Sequence, residues 1–133
     1  MTWRLLPKDS DFSFGYQTDL EGLSTKMDYY NIAAMSPAGA INSSVTEMSN
    51  WLITWINGGK YKGEQVIPAS YVTEAMSAQM VVSAGTPSKE HPDAHFANYG
   101  YGWVLSSYRG HYRVEHGGNI DGFSASAAFF PSD

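Results

Sequence analysis

Val45, Met48, Leu52, Trp55 and Ile56 recur at steps of three, four, three and one, which puts them on one face of a helix. Ser44 and Glu47 form a capping box at its start, and Asn57-Gly58-Gly59 stops it. A second, shorter helix is predicted over residues 69 to 79, with Val72, Ala75, Met76 and Met80 as its buried side. Residues 81 to 98 carry two prolines and no period, and are expected to form a long loop. From Tyr99 the pattern changes to period two. Tyr101, Trp103 and Leu105 alternate with Gly102, Val104 and Ser106, and Arg109-Gly110 turns the chain into His111-Tyr-Arg-Val-Glu-His116, a hairpin. After the turn Asn119-Ile-Asp-Gly122, residues 123–130 supply a third antiparallel strand. Residues 1 to 35 are polar and aromatic without a sustained period, and are expected to form an irregular surface arm. Strands that follow helices rather than alternate with them indicate an α+β fold: an antiparallel sheet with packed helices.

Composition narrows the function classes. With 133 residues, 43% of them hydrophobic, the chain is long enough for one small core. Its net charge is −5, and Lys8, Lys26, Lys60, Lys62 and Lys89 are dispersed, which argues against a nucleic-acid partner. No apolar run approaches the length of a transmembrane segment. Arg4, Lys8 and two aspartates interrupt residues 1–11, so these do not read as a signal peptide. The absence of cysteine removes thiol catalysis, Cys-based zinc sites and disulfide scaffolds, and leaves the compartment open. No cofactor is implied.

Candidate chemistry is sparse. His91 and His95 have a metal-like spacing, but Pro87 and Pro92 argue against the helix that would align their rings. They read as solvated loop histidines, no metal site is assigned, and metal analysis would test the alternative. The aromatics Tyr99, Tyr101, Trp103, Tyr108 and Tyr112 suggest carbohydrate stacking, but cross-strand packing is the better reading. His116-Gly117-Gly118-Asn119 falls at the end of a predicted strand, where bare backbone and one imidazole are able to face a ligand together. Taken alone, it reads as a tight turn that needs glycine. The Gly-x-Ser-x-Gly elbow that accompanies a similar triplet in α/β-hydrolases is missing.

Three blocks in order change the weight of these signals. They are Ser36-Pro-Ala-Gly-Ala-Ile-Asn-Ser-Ser-Val-Thr-Glu-Met-Ser-Asn-Trp-Leu52, Tyr99-Gly-Tyr-Gly-Trp103 and His116-Gly-Gly-Asn-Ile-Asp-Gly-Phe-Ser124. From about Gly15 onward the chain resembles the C-terminal half of the class C β-lactamase and penicillin-binding-protein-like serine hydrolases. The resemblance implies a partial β-lactamase/transpeptidase-like fold, with residues 36–133 as the C-terminal portion of the domain. It also implies that His116-Gly117-Gly118 stands where the family has its Lys-Thr-Gly or His-x-Gly triplet. By that analogy His116 orients a substrate carboxylate, Gly117 and Gly118 border the substrate, and the Asn119 backbone N–H supplies half of an oxyanion hole. Parent proteins of this kind are usually bacterial and exported, which implies a periplasmic or extracellular setting.

Departures from the family pattern set the limits. The residues three positions before each lysine are Leu5, Leu23, Asn57, Gly59 and Thr86, so the family's Ser-x-x-Lys nucleophile motif is absent. Tyr29-Tyr30-Asn31 spells Tyr-x-Asn but stands too close to the Pro-Ala-Gly block, and is read as coincidence. The chain ends where the family continues into another strand and a final helix. The expectation is therefore a piece of a larger hydrolase that does not form an acyl-enzyme by itself; the alternative is a non-catalytic binding module on the same fold. The implied partners are a small-molecule or peptide substrate and, through the exposed edge of residues 123–130, a second copy of the chain.

Overall fold

A computed structural model describes residues 12–83 and 85–132. The chain divides into two compact units: residues 1–45 with 117–125, and residues 46–116 with 126–133.

In the first unit, β1 (Tyr16–Thr18) and β2 (Ser24–Lys26) form an antiparallel hairpin within the segment expected to be coil. Its loop explains why no period announces it. The Asp19 carboxylate accepts the amides of Glu21 and Leu23 at 3.0 and 2.8 Å, and Gly22 takes a positive φ, so turn chemistry rather than apolar alternation makes the hairpin. A short 3₁₀ turn (Ala33–Met35) and the one-turn helix α1 (Ser36–Gly39) follow. Residues 1–11 of the expected arm lie outside the described residues.

Helix α2 (Val45–Ile56) falls where the periodicity places it, with Glu47 in its first turn favouring the positive end of the helix dipole. It ends in a Schellman motif. The Gly59 amide donates to the Thr54 carbonyl at 2.8 Å and the Gly58 amide to the Trp55 carbonyl at 3.1 Å, with Gly58 in the left-handed region. Only the middle of the apolar stripe's second half reaches the core: Trp55 is buried and Leu52 packs against the core, whereas Val45 and Ile56, at the two ends of the helix, are exposed. Two short strands, β3 (Lys60–Tyr61) and β4 (Glu64–Gln65), make a small hairpin before helix α3 (Ala69–Ala75).

Helix α3 stops four residues short of its predicted end for a reason that lies elsewhere in the chain. A continuing helix needs the residue 79 amide to donate to the Ala75 carbonyl. Instead the Gln79 amide donates to the Tyr99 carbonyl at 2.9 Å, and the Ala75 carbonyl accepts the Tyr101 amide at 3.0 Å. Met80, expected on the buried side, is exposed at the start of β5 (Met80–Ser83), a strand inside the predicted loop. Its four residues are all exposed, so it shows no alternation to read.

The main sheet has the order β5, β6 (Ala97–Tyr99), β7 (Val104–Tyr108), β8 (His111–Ile120) and β9 (Phe123–Phe129). Tyr99-Gly-Tyr-Gly-Trp103, expected within one strand, is a turn between two: the Gly100 amide donates to the Trp103 carbonyl at 2.8 Å, and Gly102 has a φ of 77°. The predicted hairpin at Arg109-Gly110 is present as a two-residue turn with both residues at positive φ, the type I′ geometry that matches strand twist. Leu105 and Val114 face each other across β7 and β8 and are fully buried. Trp103 joins Trp55 to Phe129 through edge-on contacts of 5.3 Å on each side. This core, with Val72 and Ala75 beneath it, belongs wholly to the second unit. Helices against an antiparallel sheet are the α+β architecture the pattern implied.

Candidate active site

The strand that carries His116-Gly117-Gly118-Asn119 runs on to Ile120, so these four residues lie within β8 rather than at its end. The reason is the partner strand: the chain turns only at Asp121-Gly122, where Gly122 has a φ of 76°, and β9 pairs with β8 beyond it. All four side chains or backbone positions are exposed. The unit boundary falls between His116 and Gly117.

His116, in the second unit, has its Nε2 3.0 Å from the Tyr99 phenol oxygen, and the two rings meet edge-on at 6.0 Å. Tyr99 was an undifferentiated member of the aromatic set in the sequence. Its partnership was not legible there, because β6 and β8 are separated by β7. Glu115, next to His116, is engaged by the Arg113 guanidinium in an ion pair. The remaining aromatics of the set pack: the Tyr112 hydroxyl donates to the Met76 carbonyl at 2.7 Å and the Tyr101 hydroxyl to Glu74 at 3.0 Å. The Glu74 hydrogen bond, then its charge, holds the Tyr101 phenol above its ordinary value.

Gly117 and Gly118, in the first unit, have ordinary strand backbones and are absent from the positive-φ glycines. A methyl group added to either would meet its nearest neighbours at 3.8 and 3.7 Å, a normal van der Waals contact with Ala125. Among the described residues, nothing in the surrounding chain requires glycine at these two positions. Elsewhere in this unit the chain closes on glycine: an added Cβ on Gly39, from the Pro-Ala-Gly block, would come 3.2 Å from the Ile120 side chain, a tight contact, and at Gly122 glycine is required, because a Cβ there would come 2.8 Å from the Gly15 Cα and φ is 76°. The Pro-Ala-Gly block thus packs on the far end of the strand that carries the His-Gly-Gly block.

Beside that end is a hollow of about 40 Å³ lined by Tyr30, Asn42, Ile120 and Asp121, among others. The Tyr30 phenol is raised above its ordinary value, first by desolvation and then by its hydrogen bond to Asp121. Tyr29 stacks on Phe123 and donates its hydroxyl to the Ser13 carbonyl, while the Asn31 side chain accepts the Ala33 amide at 2.9 Å. His91 and His95 are exposed: the His91 amide bonds to Ser88 and the His95 amide to Ser107. Among the described residues no three His, Cys, Asp or Glu side chains are grouped to hold a metal. Nor is any described helix long and apolar enough to cross a membrane.

The fold matches that of the octameric penicillin-binding protein homologue from Pyrococcus abyssi, with a TM-score of 0.73 and 20% identity over 98% of this chain and 26% of that one. The architecture is therefore that of the penicillin-binding-protein-like proteins. No family model matches the chain. A curated relative, the unguisins hydrolase ungD of Aspergillus violaceofuscus, is 32% identical over 103 residues, which is 74% of this chain and 18% of the relative. Together these likenesses support a β-lactamase/penicillin-binding-protein-like chain, and it spans 18% of the relative and 26% of the Pyrococcus protein. The relative is fungal, so the likeness lends no support to a bacterial source.

Proposed function

We propose that the chain carries one wall of the substrate site of a serine hydrolase of the β-lactamase, D-alanyl-D-alanine carboxypeptidase or esterase type. In this reading His116 orients a substrate carboxylate, Gly117 and Gly118 let the substrate lie close against β8, and the Asn119 backbone N–H is one donor of the oxyanion hole. The observation that carries the reading is that Gly117 and Gly118 stay bare on an exposed strand where the chain itself has room for a methyl group. Glycine that the fold does not demand points to a ligand that does. The hydrolase name of the fungal relative supports the same class.

No Ser-x-x-Lys occurs in this sequence, so the chain supplies binding and electrostatic groups and no acylated serine. Incubation with a penicillin or a phosphonate is expected to leave its intact mass unchanged, while backbone amide resonances of residues 116–119 shift with the carboxylate-bearing ligand. Absence of any shift at these four residues would sink the reading; stoichiometric labelling would overturn the missing nucleophile. The class implies an exported setting.

A second copy of the chain is the proposed macromolecular partner, docking along β9, the last strand in the sheet order. The Pyrococcus protein is octameric. Light scattering at increasing concentration tests this, and a monomer throughout would end it.

A further inference from the structure

Tyr99 is held with little latitude. Its carbonyl accepts the Gln79 amide at 2.9 Å, and the next two amides are taken by the Trp103 and Ala75 carbonyls at 2.8 and 3.0 Å. Gly100 fits between these bonds only because it has no side chain: a Cβ there would lie 2.0 Å from the Ala75 carbonyl oxygen. The end of β6 is thus clamped to the C-terminus of α3. From this clamp the Tyr99 phenol reaches past β7 to the Nε2 of His116, 3.0 Å away.

We propose that Tyr99 is a positioning residue that fixes the ring orientation and the tautomer of His116. A phenol is a better hydrogen-bond donor than a neutral imidazole N–H, and an imidazole nitrogen is a better acceptor than a phenol oxygen. The neutral pair therefore forms with the Tyr99 O–H donating to Nε2, and the imidazole proton resides on Nδ1, the less populated tautomer of a solvated histidine. Rotation of the ring about its bond to Cβ breaks this contact, so the same hydrogen bond opposes reorientation of the imidazole on β8. The functional value of this arrangement rests on the reading of His116 as a substrate-orienting residue; the tautomer does not.

Nitrogen–proton correlation spectra of the labelled chain at alkaline pH read the tautomer of each histidine, with His91 and His95 as internal references. Wild-type His116 is expected in the Nδ1–H form. Tyr99→Phe, which keeps the edge-on ring and removes the hydroxyl, is expected to shift its tautomer balance from Nδ1–H toward Nε2–H, with His91 and His95 unmoved. Tyr101→Phe, in the same turn, is expected to leave His116 as in wild type. A wild-type Nε2–H form, an unchanged tautomer in Tyr99→Phe, or an equal change in both variants would each overturn the proposal. If Tyr99→Phe does not fold by circular dichroism, the wild-type tautomer alone decides. A locked Nδ1–H form in a chain whose residues 116–119 ignore a β-lactam would refute the proposed function and leave this inference standing; the converse pattern refutes this inference alone.

Discussion

Gly100 and the pair Gly117-Gly118 look alike in sequence and differ in what requires them. At Gly100 the fold is the reason, since a side chain would enter the carbonyl group that ends α3. At Gly117 and Gly118 a methyl group meets nothing closer than ordinary contact, and the backbone is one that any residue adopts. The first glycine belongs to the packing of the second unit and the other two to a surface. Glycine in a motif is therefore informative only after its surroundings are known, and the two kinds answer differently to the same substitution.

The sharpest break in this comparison comes from the core that supports the clamped turn. Leu105→Ala removes a fully buried side chain opposite Val114 and is expected to cost about 3 kcal/mol, read from the urea midpoint. Gly100→Ala is expected to cost about 2 kcal/mol by overpacking against Ala75, and to release Tyr99 from His116. A near-neutral Gly100→Ala would dissolve the distinction between the two kinds of glycine. By contrast, Gly117→Ala and Gly118→Ala are each expected to change stability by no more than about 0.5 kcal/mol while weakening the β-lactam response of residues 116–119. Loss of folding in either would move these glycines into the structural class.

The smallest effect concerns the turn's second tyrosine. The Tyr101 phenol is raised above its ordinary value of 10.0 chiefly by its hydrogen bond to Glu74. A raised folded value means a contribution present in full below pH 10.0 and lost as pH rises through the folded value. Tyr101→Phe is expected to remove that part of the alkaline loss of stability, measured as a shallower decline of the thermal midpoint above pH 10.0. An unchanged slope would show that the Glu74 contact contributes nothing at this exposed position.

Much of this protein is written locally. The α2 stripe and its glycine stop, the Arg109-Gly110 hairpin and the α+β order depend on residues within a few positions of one another, and periodicity and turn chemistry suffice for them. The His-Gly-Gly strand was legible as a candidate through its residue types and its place among three motif blocks. What the local pattern does not contain is competition for hydrogen-bonding groups by distant chain. Only the tertiary structure ends α3 at Ala75, because Tyr101 and Gln79 redirect the bonds a longer helix needs. Only it splits the Tyr-Gly-Tyr-Gly-Trp segment into a turn and carries β8 through to Ile120. And only it puts the Tyr99 hydroxyl on the His116 ring, across an intervening strand, where no spacing rule along the chain reaches.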